Sequence, residues 1–184
     1  ISKATNDAIA IASGEFIGLM DNDDLLAKNA LYEVVKVLNK DSSLDMIYTD
    51  EDKIDIFNRR RDPHFKPDFS PDSLLSSNYI CHFTVLRKKI IDKIGGFRVG
   101  YEGSQDHDLF LRFTEKTDKI YHIPKVLYHW RMIPGSTAES IDSKNYAVER
   151  GKKSVEDALK RRGCKAVVSI HPQIPYYMID YLYD

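Results

Sequence analysis

Two residue types are scarce in this chain of 184: cysteine occurs twice, at Cys81 and Cys164, and tryptophan once. Two thiols cannot build the disulfide framework of a small secreted domain, so they imply a reducing compartment, with the cytoplasm as the expected location. No apolar run approaches the roughly 20 residues that span a bilayer, and there are no repeats or low-complexity stretches. An excess of basic charge is missing too. The formal net charge is -1, which excludes the strongly basic face of a nucleic-acid binder. What remains, with 42% hydrophobic and 30% charged residues, describes a single globular domain over 1–184 that can bury a real core.

Hydrophobic spacing alternates between helix and strand. Residues 2–13 read as an amphipathic helix with Ala4, Ala8, Ile9, Ile11 and Ala12 on its apolar side and Gly14 as its stop. The β-prone run Phe16-Ile17-Gly18-Leu19-Met20 follows, then a helix over 29–39 and a strand at Met46-Ile47-Tyr48-Thr49. Strand, helix and strand in succession predict a parallel α/β sheet with sites at strand carboxyl ends. Residues 59–72, broken by Arg59-Arg60-Arg61 and by Pro63, Pro67 and Pro71, predict a long ordered loop. Beyond it the pattern predicts a short helix over 72–77, a strand over 82–86 and a mobile or tightly turned loop over 95–103, which holds four of the nine glycines. A helix over 106–115, strands over 119–123 and 126–132, a long helix over 144–162 and a last strand over 166–170 complete the pattern.

The chemistry is concentrated in Asp21-Asn22-Asp23-Asp24. An acidic cluster at the carboxyl end of a buried strand costs solvation free energy unless a cation sits there, and the alternate side chains Asp21 and Asp23 can share one through hard oxygen ligands. An EF-hand is excluded, because Leu25 and Leu26 stand where that loop needs a ligand and a glycine. The same turn would also serve as an acidic N-cap for the helix that follows. A second cluster, Asp50-Glu51-Asp52-Lys53, ends the next strand.

The stretch Ser13-Gly14-Glu15-Phe16-Ile17-Gly18-Leu19-Met20-Asp21-Asn22-Asp23-Asp24 resembles the signature of family-2 glycosyltransferases with the GT-A fold. The resemblance continues through Tyr48-Thr49-Asp50-Glu51-Asp52-Lys53, Asn78-Tyr79-Ile80-Cys81-His82, Gly95-Gly96-Phe97-Arg98, Gln105-Asp106-His107-Asp108 and Tyr128-His129-Trp130-Arg131, in the branch of bacterial O-antigen and rhamnosyltransferase-type enzymes. It implies a mixed α/β sheet flanked by helices and an inverting, metal-dependent transfer of sugar from a nucleotide-diphosphate donor to a saccharide or glycolipid acceptor. It also implies a role in cell-surface polysaccharide synthesis. By the same resemblance Asp21, Asp23 and His129 hold Mn²⁺ or Mg²⁺ in a DXD-type site, and Asp106 is the catalytic base. Arg131, Ser136 and Thr137 meet the donor phosphates, and Lys3 and Asn6 look toward the nucleotide. Gln105 stands where the family more often has Glu.

Plainer readings stand beside these. Asp106 and Asp108 would also suit a helix's first turn, with Asp108 pairing Arg112 at i,i+4. His129 would also serve as an inward strand histidine with a satisfied hydrogen bond. The cluster at 50–53 lies near the acceptor in the family or is a solvated strand end. Basic residues of the last helix, Arg150 to Arg162, form a solvated face or approach an anionic membrane surface from the cytoplasmic side. The family's first strand and βαβ units have no counterpart before Ile1. The expectation is therefore an amino-terminally truncated domain, weakly active or inactive alone, with an open sheet edge for self-association. The rival function is a non-catalytic carbohydrate- or nucleotide-binding fragment of the same fold.

Overall fold

The computed structural model describes residues 1–132 and 145–183. Its elements are α1 (Ser2–Ile11), β1 (Phe16–Leu19), β2 (Leu25–Leu26), α2 (Ala30–Lys40), β3 (Met46–Ile54), β4 (Arg60–His64), α3 (Pro71–Ser76), β5 (Thr84–Arg87), α4 (Lys88–Ile94), α5 (Gln105–Thr114), β6 (Ile120–Arg131), α6 (Asn145–Arg161), β7 (Ala166–Ile170) and β8 (Tyr177–Tyr181). The main sheet has the order β1-β5-β3-β6-β2, with β4 pairing β3 off this path, and β7 and β8 form a separate ribbon. β3 and β6 are parallel, whereas β5 lies antiparallel between β1 and β3. β1 and β3 therefore run the same way, as strand–helix–strand requires, but the sheet is mixed rather than parallel.

Alternation along β3 divides the core between two faces. Met46 and Tyr48 join Leu74, Leu86, Phe110 and Leu159 in one cluster. Ile47 joins Val34, Phe83, Val85 and Tyr128 in the other. α2 covers the second face with Ala30 and Val34, while Leu31 and Val35 stay exposed. Among the described residues no helix is long and apolar enough to cross a membrane.

Several boundaries differ from the sequence pattern for identifiable reasons. The expected loop at 59–72 contains β4, an exposed edge strand that among the described residues pairs only with β3, where charge and proline are tolerated. The two strands expected over 119–132 are one, bent where its register against β3 shifts on either side of Asp50. The glycine segment is tightly turned: Gly95 closes α4 with φ 79° and Gly96 has φ 66°. A Cβ at Gly96 would lie 2.5 Å from Asn6 Oδ1, so only glycine fits.

α1 buries Ile9 but leaves Ile11 88% exposed. Its apolar side borders an open groove of about 660 Å³ shared with Phe16, Ile17 and Leu19 of β1. Among the described residues β1 pairs only with β5, so its other edge is free.

Candidate active site

The turn leaving β1 carries three aspartates in two environments. Asp24 is buried; its carboxylate accepts the Tyr128 hydroxyl and, at 2.7 Å, the Arg131 N–H. Tyr128 Oη in turn accepts the Asp21 N–H at 3.1 Å. Burial pushes the Asp24 carboxyl above its ordinary value, against the opposing effect of the hydrogen bonds from Arg131 and Tyr128. Asp24 is thus the anchor of the turn. The capping reading fails, because β2 intervenes and α2 starts at Ala30 with Asn29 as its N-cap residue. Asp21 and Asp23 are exposed, and no described residue pairs with either carboxylate. Arg131 braces the turn from outside, donating Nε–H to the Asp23 carbonyl at 2.7 Å and Nη1–H to Asn58 Oδ1 at 3.0 Å.

Asp106 sits in the first turn of α5, half-buried. Asn78 Nδ2 donates to its Oδ2 at 2.8 Å and the His107 N–H to its Oδ1 at 2.9 Å, fixing both oxygens. Its neighbour Asp108 is fully buried and held by Arg98 and Arg112, a structural ion network that includes the i,i+4 pair with Arg112. Asp106 and Asp21 line one cleft of about 110 Å³, with Leu19, Met20, Cys81, His82, Phe97 and Phe110 among its walls. Acids on two separate elements, the turn after β1 and the start of α5, thus face one space.

The acidic cluster on β3 is not a solvated strand end. Asp50, Glu51 and Asp52 are 3%, 6% and 3% exposed, and each carboxylate meets a histidine. Asp50 lies 2.8 Å from His122 Nε2 and accepts the Lys66 N–H at 2.9 Å. Glu51 lies 3.2 Å from both Lys66 Nζ and His82 Nδ1, and accepts the His82 N–H at 2.8 Å. Asp52 pairs with His129 Nδ1 and Arg60 Nε. Burial works to raise the Glu51 carboxyl, but hydrogen bonds from His64 and His82 and the Lys66 charge prevail and hold it well below its usual range. Burial likewise works to lower His82, but Glu51, together with the charges of Asp106 and Asp21, overcomes it and raises the imidazole above its ordinary value.

This pairing gives His129 a carboxylate partner on β3, Asp52, apart from the two aspartates expected to share a cation with it. The Tyr128 and Trp130 rings both lie against His82, so by strand alternation His129 belongs to the other face, with Asp52. Among the described residues no group of three or more His, Cys, Asp or Glu is arranged to hold a metal ion. His129 is a paired strand histidine. Asn6 is also otherwise engaged: its amide donates to the Phe97 carbonyl and accepts the Phe97 N–H, both at 2.8 Å, clamping α1 to the Gly95-Gly96 turn. Lys3 is exposed and lines neither the cleft nor the groove; Thr5 of α1 and Ile1 just before it reach the cleft. Ser136 and Thr137 lie outside the described residues.

The family model described as glycosyl transferase family 2 matches residues 1–95. The chain belongs to glycosyl transferase family 2. It is 44% identical over 178 residues to the protein y4gI of Sinorhizobium fredii, an alignment that covers 96% of this chain and 20% of that protein. Over 175 residues it is 38% identical to the O-antigen biosynthesis protein RfbC of Myxococcus xanthus, covering 95% of this chain and 14% of that one. The chain thus spans a fifth or less of the length of these relatives. Among solved structures it is similar to the S. aureus TarS 1–349 fragment in complex with UDP, with TM-score 0.56, 18% identity and coverage of 88% and 51% of the two chains. The mannosyltransferase PcManGT from Pyrobaculum calidifontis, in complex with GDP-Man and Mn²⁺, gives TM-score 0.51 at 15% identity, covering 88% and 43%. These likenesses establish the GT-A fold expected from the motifs.

Within that fold, sequence reasoning selected Asp21, Asp23 and Asp106 but passed over His82 and Asn78. Both lie in the block Asn78-Tyr79-Ile80-Cys81-His82, whose motif character was legible and whose roles were not. Their importance depends on Glu51 and Asp106, which only the folded chain brings beside them.

Proposed function

We propose that this domain is an inverting, metal-dependent glycosyltransferase that moves a sugar from a nucleotide-diphosphate donor to a hydroxyl of a saccharide or glycolipid acceptor. The setting is bacterial cell-surface polysaccharide synthesis at the cytoplasmic face of the membrane, in keeping with the O-antigen relative. The observation that carries the reading is the cleft shared by Asp21 and Asp106. Two exposed carboxylates, neither in an ion pair or hydrogen bond among the described residues, fit Mn²⁺ or Mg²⁺, whose remaining positions suit diphosphate oxygens and water. Bound there, the ion would neutralise charge on the departing diphosphate.

The protein's own contribution is geometric and basic. Asn78 and the His107 N–H hold the Asp106 carboxylate still, so that it takes the proton of the acceptor hydroxyl. The acceptor oxygen then bonds to the anomeric carbon as the bond to the diphosphate breaks from the opposite side and its electron pair departs with the phosphate. Configuration inverts. Replacing Asp106 by Asn is expected to slow transfer by about 10²–10⁴-fold in a form of the protein that transfers sugar, with fold and donor binding kept. An unchanged rate would favour the non-catalytic binding fragment.

A further inference from the structure

A cleft that receives a diphosphate needs positive charge, yet its described walls include two carboxylates, Asp21 and Asp106. Among the described side chains lining it, His82 is the one able to become a cation. Its ring is held firmly. Nδ1 faces Glu51 Oε2 at 3.2 Å, the His82 N–H donates to the same oxygen, and the ring stacks on Tyr128 with centroids 4.7 Å apart and planes 12° from parallel. Glu51 is fixed from behind by Lys66, whose side chain is 0% exposed and also donates to the Ile80 and His82 carbonyls. With Glu51 accepting, Nδ1 carries a hydrogen, and no described residue engages Nε2.

We propose that His82 is a further catalytic residue, its imidazolium donating Nε2–H to a phosphate oxygen of the nucleotide-sugar donor, with Glu51 and Tyr128 as the positioning residues behind it. This rests on the reading of the cleft given above. The diphosphate is the better partner than the acceptor, because an N–H donated to the attacking oxygen would tie up the lone pair that must reach the anomeric carbon and make it a weaker nucleophile. The leaving phosphate, in contrast, gains charge as Asp106 is neutralised. His82 neither gains nor loses a proton: the acceptor proton goes to Asp106, and the electron pair of the broken bond goes to the diphosphate. The same ring joins the chemistry to the strand, since Glu51 and Tyr128 are register partners on β3 and β6.

The test uses inorganic pyrophosphate with Mg²⁺ as probe, titrated into the 184-residue chain carrying ¹⁵N-histidine and, by calorimetry, into His82→Gln and the double variant Asp21→Asn/Asp23→Asn. Saturable binding that moves the His82 Nε2 resonance is expected, with affinity about 10- to 100-fold weaker in His82→Gln, the range of a charge-assisted hydrogen bond. No saturable binding, a stationary resonance at saturation, or equal affinity in His82→Gln would overturn the proposal; the resonance decides the matter even if that variant fails to fold. Loss of binding in the aspartate double variant alone removes His82 and leaves the diphosphate site standing. Equal binding in all three proteins removes both.

Discussion

Asp24 and Asp106 stand two residues or fewer from other acids, and burial separates their roles: Asp24 is held by Tyr128 and Arg131 and cannot be spared from the turn, whereas Asp106 keeps a half-exposed carboxylate facing the cleft. Glu51 gives a direct stability test at this scale. Its folded carboxyl lies well below the ordinary 4.5, so the stability it contributes is present above pH 4.5 and is lost as pH falls toward the folded value. Glu51→Gln is expected to cost about 3–5 kcal/mol near neutrality, because the buried Lys66 ammonium loses its countercharge. Urea titrations from pH 7 down to 3 should show the gap between the two proteins narrowing below pH 4.5. A gap that does not depend on pH would count against the ion-paired state. The sequence displayed these carboxylates as a charge run but not their burial. Their partners His82, His122 and His129 lie 31, 72 and 77 residues away, beyond anything periodicity reports.

At the scale of elements, long periodic segments were legible and short or edge segments were not. α6 and β7 fall within a residue of the expected spans. β2 has only two residues and α4 only seven, too short for a period to register. β3 runs past its apolar stretch because partnered carboxylates can continue a buried strand that unpartnered ones would end. The Gly96 turn links elements that sequence spacing leaves unconnected, since it seats Phe97 against Asn6 of α1. Gly96→Ala is expected to destabilise the fold by about 1–3 kcal/mol through positive φ and the clash with Asn6. Amide exchange in α1 should rise with it, and unchanged exchange there would show that the clamp does not hold the helix.

For the whole molecule, the free edge of β1 and the apolar groove beside α1 are the exposed consequence of how the described sheet ends. An unpaired edge next to apolar surface recruits partners, so the isolated 184-residue chain is expected to self-associate. Light scattering over rising concentration checks this, and a constant monomer mass would refute it. The overall architecture was legible because motif order and the β–α–β rhythm are local, while its mixed topology arises from β5 inserting between β1 and β3, a long-range pairing.

The central claim is a division of labour across one cleft, with Asp21 and Asp23 engaging the donor phosphates through a dication and Asp106 acting on the acceptor. The most direct measurement is Mn²⁺-dependent donor binding together with the single-turnover transfer rate, in a form of the protein that transfers sugar. Asp106→Asn should bind donor normally and transfer about 10²–10⁴-fold more slowly, whereas Asp21→Asn/Asp23→Asn should lose the Mn²⁺-dependent binding. Normal transfer by Asp106→Asn, or Mn²⁺-dependent binding that survives loss of both aspartates, would contradict the account.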